Sequence, residues 1–258
     1  MRAEWTKLRT VRSTPWLVLA LVAALVTVAI MATGSVSTSR CPSPAECFED
    51  TTKLSLTGVW LGQIAVVVLA VLAVGGEYGD RLIHTTLTVN PHRSTVLLMK
   101  ATVVCGTVLV ASTLGVAGSL LAGRILLPGN GFSAANGYPP VSLADGATLR
   151  AAVGTVLYLG LIAVLSLGIA TVVRDTAGSI VCVLTLLYVF PMIAALVADP
   201  VWQERLQKFA PMTAGLSIQA TTNLDRLAIG PWPGLGVLAG YAAGAMLLGL
   251  LAFRLRDA

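Results

Sequence analysis

Charge is scarce in this sequence, and the scarcity decides the class of protein. Charged side chains make up 11% of the 258 residues against 56% hydrophobic, and the mean hydropathy is +0.84. Soluble domains carry about 25% charged residues, so a globule of this composition would leave too little polar surface to cover itself. The shortage is sharpest inside the apolar runs. No Asp, Glu, Arg, His or Lys falls near the middle of any of them, and Lys100 lies close enough to an end to snorkel. Ion-coupled carriers and pumps place an ionisable group at the midplane to hold the coupling ion, so proton- or sodium-driven transport is disfavoured. Gln63 is the one strongly polar side chain in the second run and reads as a bond to a neighbouring helix.

Catalytic signatures are missing too. The chain has no H-E-x-x-H, no G-x-S-x-G and no carboxylates at metal-ligand spacing. It also lacks G-x-x-x-x-G-K-[ST], so ATP is not bound by that route. His84 and His92 share one loop and read as solvated interfacial histidines rather than a metal pair. No catalytic residue, metal or cofactor is therefore expected in this chain. The net charge of +5 and pI near 9.3 do not point to nucleic acid, because the basic residues sit at the ends of apolar runs instead of forming a patch.

What the sequence does have is length of apolar run. A membrane-spanning helix needs about 20 residues, and six runs approach or exceed that: residues 15–33, 56–74, 96–121, 151–173, 176–197 and 235–253. This predicts an all-α integral membrane protein, with one transmembrane domain over 1–258 and membrane lipid around it. The first run reads as a retained span, since its leading segment is long, contains Glu4 and is not followed by a small-x-small cleavage site. Arg2, Lys7, Arg9, Arg12, Arg81, Arg93, Arg174, Arg254 and Arg256 fall on the two termini and the short segments of one side. The longer loops of the other side hold Arg40, Lys53, Arg124, Arg150, Arg205, Lys208 and Arg226. The difference in density predicts cytoplasmic N- and C-termini in a cytoplasmic (inner or plasma) membrane.

The loop over 34–55 then faces an oxidising compartment, where Cys41 and Cys47 can pair. The alternative is two free thiols. Cys105 and Cys182 lie inside apolar runs and read as small buried hydrophobes. Gly236, Gly240 and Gly244 repeat at four-residue spacing, as do Ala111, Gly115 and Ser119, and such stripes let helix backbones approach closely. Packing within one subunit and a dimer seam explain the glycine stripe equally well. Pro191 should kink or loosen the fifth run. Asp199-Pro200 reads as an N-cap and first helical residue, and Trp202, Leu206 and Phe209 then mark a short amphipathic helix on the outer membrane surface, stopped at Pro211. Residues 2–14 form an imperfect amphipathic segment, and 77–100 carry a short helical pattern ending at Asn90-Pro91.

An E-W-T-K-L-R before the first run and an E-Y…T-T-L…P-x-R…K stretch after the second resemble permease subunits of type-2 ATP-binding-cassette (ABC) exporters. The resemblance covers essentially the whole chain, and the six-run layout and the surface helix before the last run fit it. It implies that Glu4, Trp5, Lys7 and Leu8 lie in an interfacial helix. It also implies that Glu77, Tyr78, Thr85, Thr86, Leu87, Pro91 and Arg93 form the element that docks on a separate ATPase subunit, where ATP and Mg bind. A second permease subunit, identical or related, is implied as well. The chain departs from the family pattern at Arg81-Leu82, where relatives often carry Gly-Thr. The expected function is the membrane half of an ATP-driven exporter for a hydrophobic or amphipathic substrate. The alternatives are a non-transporting membrane protein, such as a scaffold or immunity factor, and a membrane-embedded lipid enzyme working from Glu77, Asp80 and His84.

Overall fold

A computed structural model describes residues 13–38, 49–79, 93–138, 140–197 and 199–255. Among them the regular structure is helical, with no strand. In chain order the helices are α1 (Ser13–Ser35), α2 (Thr51–Ser55), α3 (Val59–Gly79), α4 (Arg93–Leu126), α5 (Gly146–Val173), α6 (Thr176–Leu184), α7 (Phe190–Ala195), α8 (Pro200–Phe209), α9 (Pro211–Leu216) and α10 (Pro231–Leu255). A π-helical turn, Thr185–Val189, joins α6 to α7. Five helical units are long and apolar enough to cross a membrane: α1, α4, α5, the joined α6–α7 and α10. The run at 56–74 falls on α3, a 21-residue helix whose apolar stretch, Val59–Gly75, is shorter than the other five.

The surface explains the composition. Val110, Leu114, Leu121 and Ile125 are all more than half exposed and recur at i, i+4, i+11 and i+15, which places them on one face of α4. Val181 on α6 and Leu247 and Leu248 on α10 are similarly exposed. In water these faces would be a large unpartnered apolar surface; in hydrocarbon they meet their own kind. The protein is an all-α, multi-pass membrane protein.

Polar residues set the helix ends. The Asp145 carboxylate accepts from the Thr148 N–H at 2.9 Å and starts α5 five residues before its apolar run begins. Arg174, at φ 60°, ends α5 in the left-handed conformation, and Asp175 caps α6 through the Gly178 N–H. The predicted hairpin at Arg174-Asp175 is therefore built by a reversal and a cap on adjacent residues. Pro191 cannot donate an i→i−4 bond, and the π turn immediately before it absorbs the missing ladder contact.

Helix α5 lies at the centre, with α10, α3, α4 and α6 packed on it, while α1 packs on α4 and α3. Small residues make the crossings close. A methyl on Gly168 would come within 2.5 Å of the Ala245 carbonyl carbon, so α5 and α10 touch backbone to backbone there. The Ala111, Gly115, Ser119 stripe packs on α1: a Cβ at Gly115 would strike the Leu25 side chain, and the Ser119 hydroxyl donates to the Leu25 carbonyl at 2.9 Å. The glycine stripe of α10 behaves differently. A Cβ at Gly236, Gly240 or Gly244 would meet nothing within 4 Å among the described residues, so packing against them does not account for the stripe. The buried face of α10 is the opposite one, carrying Gly234, Leu238, Ala242 and Gly249.

Candidate functional site

The bundle interior holds a small neutral polar cluster. Gln63 on α3 and Tyr158 on α5 are both fully buried, and the Tyr158 hydroxyl donates to Gln63 Oε1 at 2.6 Å. Gln63 Nε2 in turn approaches Met212 Sδ at 3.4 Å, which ties in α9. One turn along α5 from Tyr158, the Thr155 hydroxyl lies 3.2 Å from Gln219 Nε2. Tyr188, in the π turn, donates its hydroxyl to the Trp60 carbonyl, and the two rings stand 6.5 Å apart. These groups crosslink α3, α5, α9 and the π turn without a formal charge. Gln63 does bond a neighbouring helix, as its lone position in an apolar run suggested. Its partners Tyr158 and Met212 escape a reading of sequence, because they lie 95 and 149 residues away.

Helix α9 is the element that the sequence reading missed. After the exposed, amphipathic α8, the chain turns at Pro211 and runs back against α10, α5 and the π turn. Pro211, Met212, Ala214, Gly215 and Leu216 are buried, as are Ser217, Ile218 and Gln219 in the 3₁₀ turn that follows. Six residues are too few for a periodicity signal; burial by α5 and α10 makes the helix. Helix α8 has the expected form. Asp199 caps it, Pro200 is its first residue, and Trp202 and Phe209 remain more than half exposed. Arg205 stacks over Trp202 at 5.5 Å, and Glu204 pairs with Lys208 at 2.8 Å. The hydrogen bond from Lys208 holds the Glu204 carboxyl below its usual pKa.

Loops gather at one end of the bundle, where α1 ends and α3, α5 and α10 begin. Asp50 organises this end. Its carboxylate caps α2 through the Lys53 N–H (3.0 Å) and accepts from the Thr221 hydroxyl (2.7 Å) and from the N–H groups of Thr221 and Thr222 (2.5 and 3.1 Å). Arg150 donates to the Ala220 carbonyl at 2.6 Å, and the Asn130 amide to the Thr33 carbonyl at 2.8 Å. Phe132 and Tyr138 pack edge to face at 5.0 Å beneath the loop between α4 and α5.

The opposite end carries the predicted ATPase-docking element. Lys100 lies there, against the last part of the apolar stretch of α3. It is only 7% exposed and donates to the Ala73 carbonyl at 3.0 Å, because α3 lies against this part of α4 and offers a backbone acceptor. Arg174 donates to the Ala252 carbonyl at 3.2 Å and fastens α5 to the last turns of α10. Of the docking residues, Glu77 and Tyr78 fall in the last turn of α3 and Arg93 is the first residue of α4. Thr85, Thr86, Leu87 and Pro91 lie outside the described residues, as do Glu4, Trp5, Lys7, Leu8, Cys41, Cys47, Asp80, His84 and His92. Cys105 is half-buried beside an apolar recess of about 480 Å³ between α4, α5 and α10, whereas Cys182 is exposed on α6 instead of buried as expected, since its face of that helix has no neighbour among the described residues.

Compared with protein-family models and with curated proteins, the chain matches none.

Proposed function

We propose that this chain is the permease subunit of an ATP-driven exporter of the type-2 ABC class, with six spans and both termini in the cytoplasm. The observation that carries the reading is the α8–α9 unit. It is an amphipathic surface helix followed by a buried return into the bundle, directly ahead of the last long helix. A surface helix at this place is what the resemblance implies. The buried polar groups of the interior add support. Gln63, Tyr158, Thr155 and Gln219 are neutral, which suits a pathway for an apolar or amphipathic substrate and supplies no charge to couple to an ion gradient. Energy then comes from a separate ATPase, docked at the end where the segment from Glu77 to Arg93 joins α3 to α4.

The test is co-purification and dependence. Affinity-purified chain should bring down an ABC ATPase. Export by cells expressing the chain should fall to background when that ATPase carries a substitution in its phosphate-binding lysine. A chain that purifies without any ATPase, and whose phenotype survives loss of the neighbouring ATPase genes, is a scaffold or immunity factor instead.

A further inference from the structure

The recess beside Cys105 is a groove that runs with the helices. Its α10 wall carries Trp232, Leu235, Gly236 and Ala239, spaced i, i+3, i+4 and i+7, so they line one face of that helix over about 10 Å. Leu157, Leu161 and Val164 follow one face of α5 in the same way. Cys105 and Leu109 of α4 meet the buried Gly160 at the floor, where a Cβ on Gly160 would come within 3.1 Å of Leu109 Cδ2. The enclosed volume is about 480 Å³.

The groove is continuous with the lipid-facing surface. Leu157, Trp232 and Gly236 at its rim are exposed, and the exposed Val110 and Val153 extend that surface along α4 and α5. No charged or amide side chain is among its lining residues. The Cys105 thiol is directed at the Gly160 carbonyl, 4.0 Å away, so it too has a protein acceptor. A polar ligand would be stripped of water here with nothing in return, whereas hydrocarbon loses nothing. Trp232, the second residue of α10, sets its ring at the mouth, and tryptophan concentrates where headgroups meet acyl chains. From that level the groove reaches inward about 10 Å, within the depth of about 15 Å of one hydrocarbon leaflet.

Size decides between occupants. A helix is about 10 Å across with its side chains, so a 10 Å length of one fills about 800 Å³ and would bridge the groove without entering it. The void beneath such a bridge would forfeit packing on every wall. One alkyl chain lying along the groove touches all three helices and leaves no void. Gly236 keeps the space open. A Cβ there would meet nothing within 4 Å among the described residues, while a larger side chain would occupy the groove that Gly236 lines. We infer that the recess between α4, α5 and α10 binds one acyl chain of a membrane phospholipid, with the headgroup at the level of Trp232. The inference does not depend on the protein being a transporter.

The test uses full-length protein reconstituted in phosphatidylcholine vesicles doped with a phosphatidylcholine that carries a photoactivatable diazirine in mid-chain. After illumination, labelled residues are located by mass spectrometry of peptides. Lipid that merely surrounds the bundle labels by exposure, so Leu247 and Leu248, at 61% and 60% exposed, would outscore the half-buried Cys105, Leu161 and Val164. A retained chain should label those three at least as strongly as the other two. Gly236→Leu should lower that labelling about threefold or more, because the new side chain takes the place of the lipid. Gly244→Leu, on the same stripe about two turns beyond the groove, should leave it unchanged. Ala239→Leu, which fills the groove from its deeper end, gives the same reading should Gly236→Leu fail to fold. Labelling that follows exposure alone overturns the inference, as does labelling indifferent to both groove-filling variants, and so does a recess that escapes the label altogether.

Discussion

The Tyr158–Gln63 bond is the point at which a single atom should matter most. Both side chains are fully buried and the bond joins two central helices. Tyr158→Phe keeps the ring and removes the donor, leaving Gln63 Oε1 without it. Hydrogen bonds between helices in membranes average about 0.6 kcal/mol, and an orphaned buried acceptor costs about 1–3 kcal/mol. A loss of about 0.5–2 kcal/mol is therefore expected, read as a shift in denaturant unfolding of the detergent-solubilised protein. Tyr158→Phe combined with Gln63→Leu should cost less than the sum of the two single changes, because the double variant orphans neither group. Half of this pair was legible in the sequence. A Gln in an apolar run demands a partner, but which residue answers is set by how α3 crosses α5, and no local spacing encodes that. Asp50 is a similar case: D-T-T-K can be read as a capped turn, while its bonds to Thr221 and Thr222 cross about two thirds of the chain.

Among the helices, the seam between α5 and α10 gives the cleanest contrast. Gly168→Ala puts a methyl against the Ala245 backbone, where neither partner is a flexible side-chain end. Overpacking of this kind costs about 1–3 kcal/mol, so this variant should unfold at clearly lower denaturant. Gly240→Ala meets nothing among the described residues. Alanine is the better helix former by about 1 kcal/mol, and this variant should be as stable as the parent or more so. If self-association uses the outward stripe, Gly240→Leu should weaken chemical cross-linking between copies without altering the unfolding of one. The cap of α5 adds a pH dependence. Hydrogen bonds from the Thr148 backbone and hydroxyl hold the Asp145 carboxyl below its ordinary value. A depressed folded-state pKa contributes stability above the unfolded value, near 3.9, and that contribution disappears as pH falls through the folded one. Asp145→Asn retains a cap without the titration, so its stability should fall less than the parent's below about pH 4. The long helices were readable because their apolar runs are unmixed. Their ends were not, since the cap Asp145 and the first-turn Pro231 start a helix several residues before hydropathy rises. Helix α9 was unreadable for the opposite reason, its order coming from neighbours.

For the whole molecule, the arrangement that matters is which end faces which compartment. The structure collects the loops bearing Asp50, Ser142 and Thr221 at one end and the Arg174 hairpin and Lys100 at the other, and the positive-inside bias predicts that the second end faces the cytoplasm. Single cysteines introduced into a background lacking Cys41, Cys47, Cys105 and Cys182 can test this directly. Ser142→Cys, partly exposed in the loop between α4 and α5, should react with a membrane-impermeant maleimide added to intact cells. His92→Cys, in the segment joining α3 to α4, should react only after the membrane is opened. The two sites lie on either side of α4, so opposite labelling follows from a single crossing by that helix, and the sense of the labelling fixes the orientation. The reverse pattern would place the Glu77 to Arg93 segment outside the cell, where no ATPase could reach it, and would remove the exporter reading together with the orientation. Labelling of both sites from one side would mean that α4 does not cross, which its length and apolar face argue against.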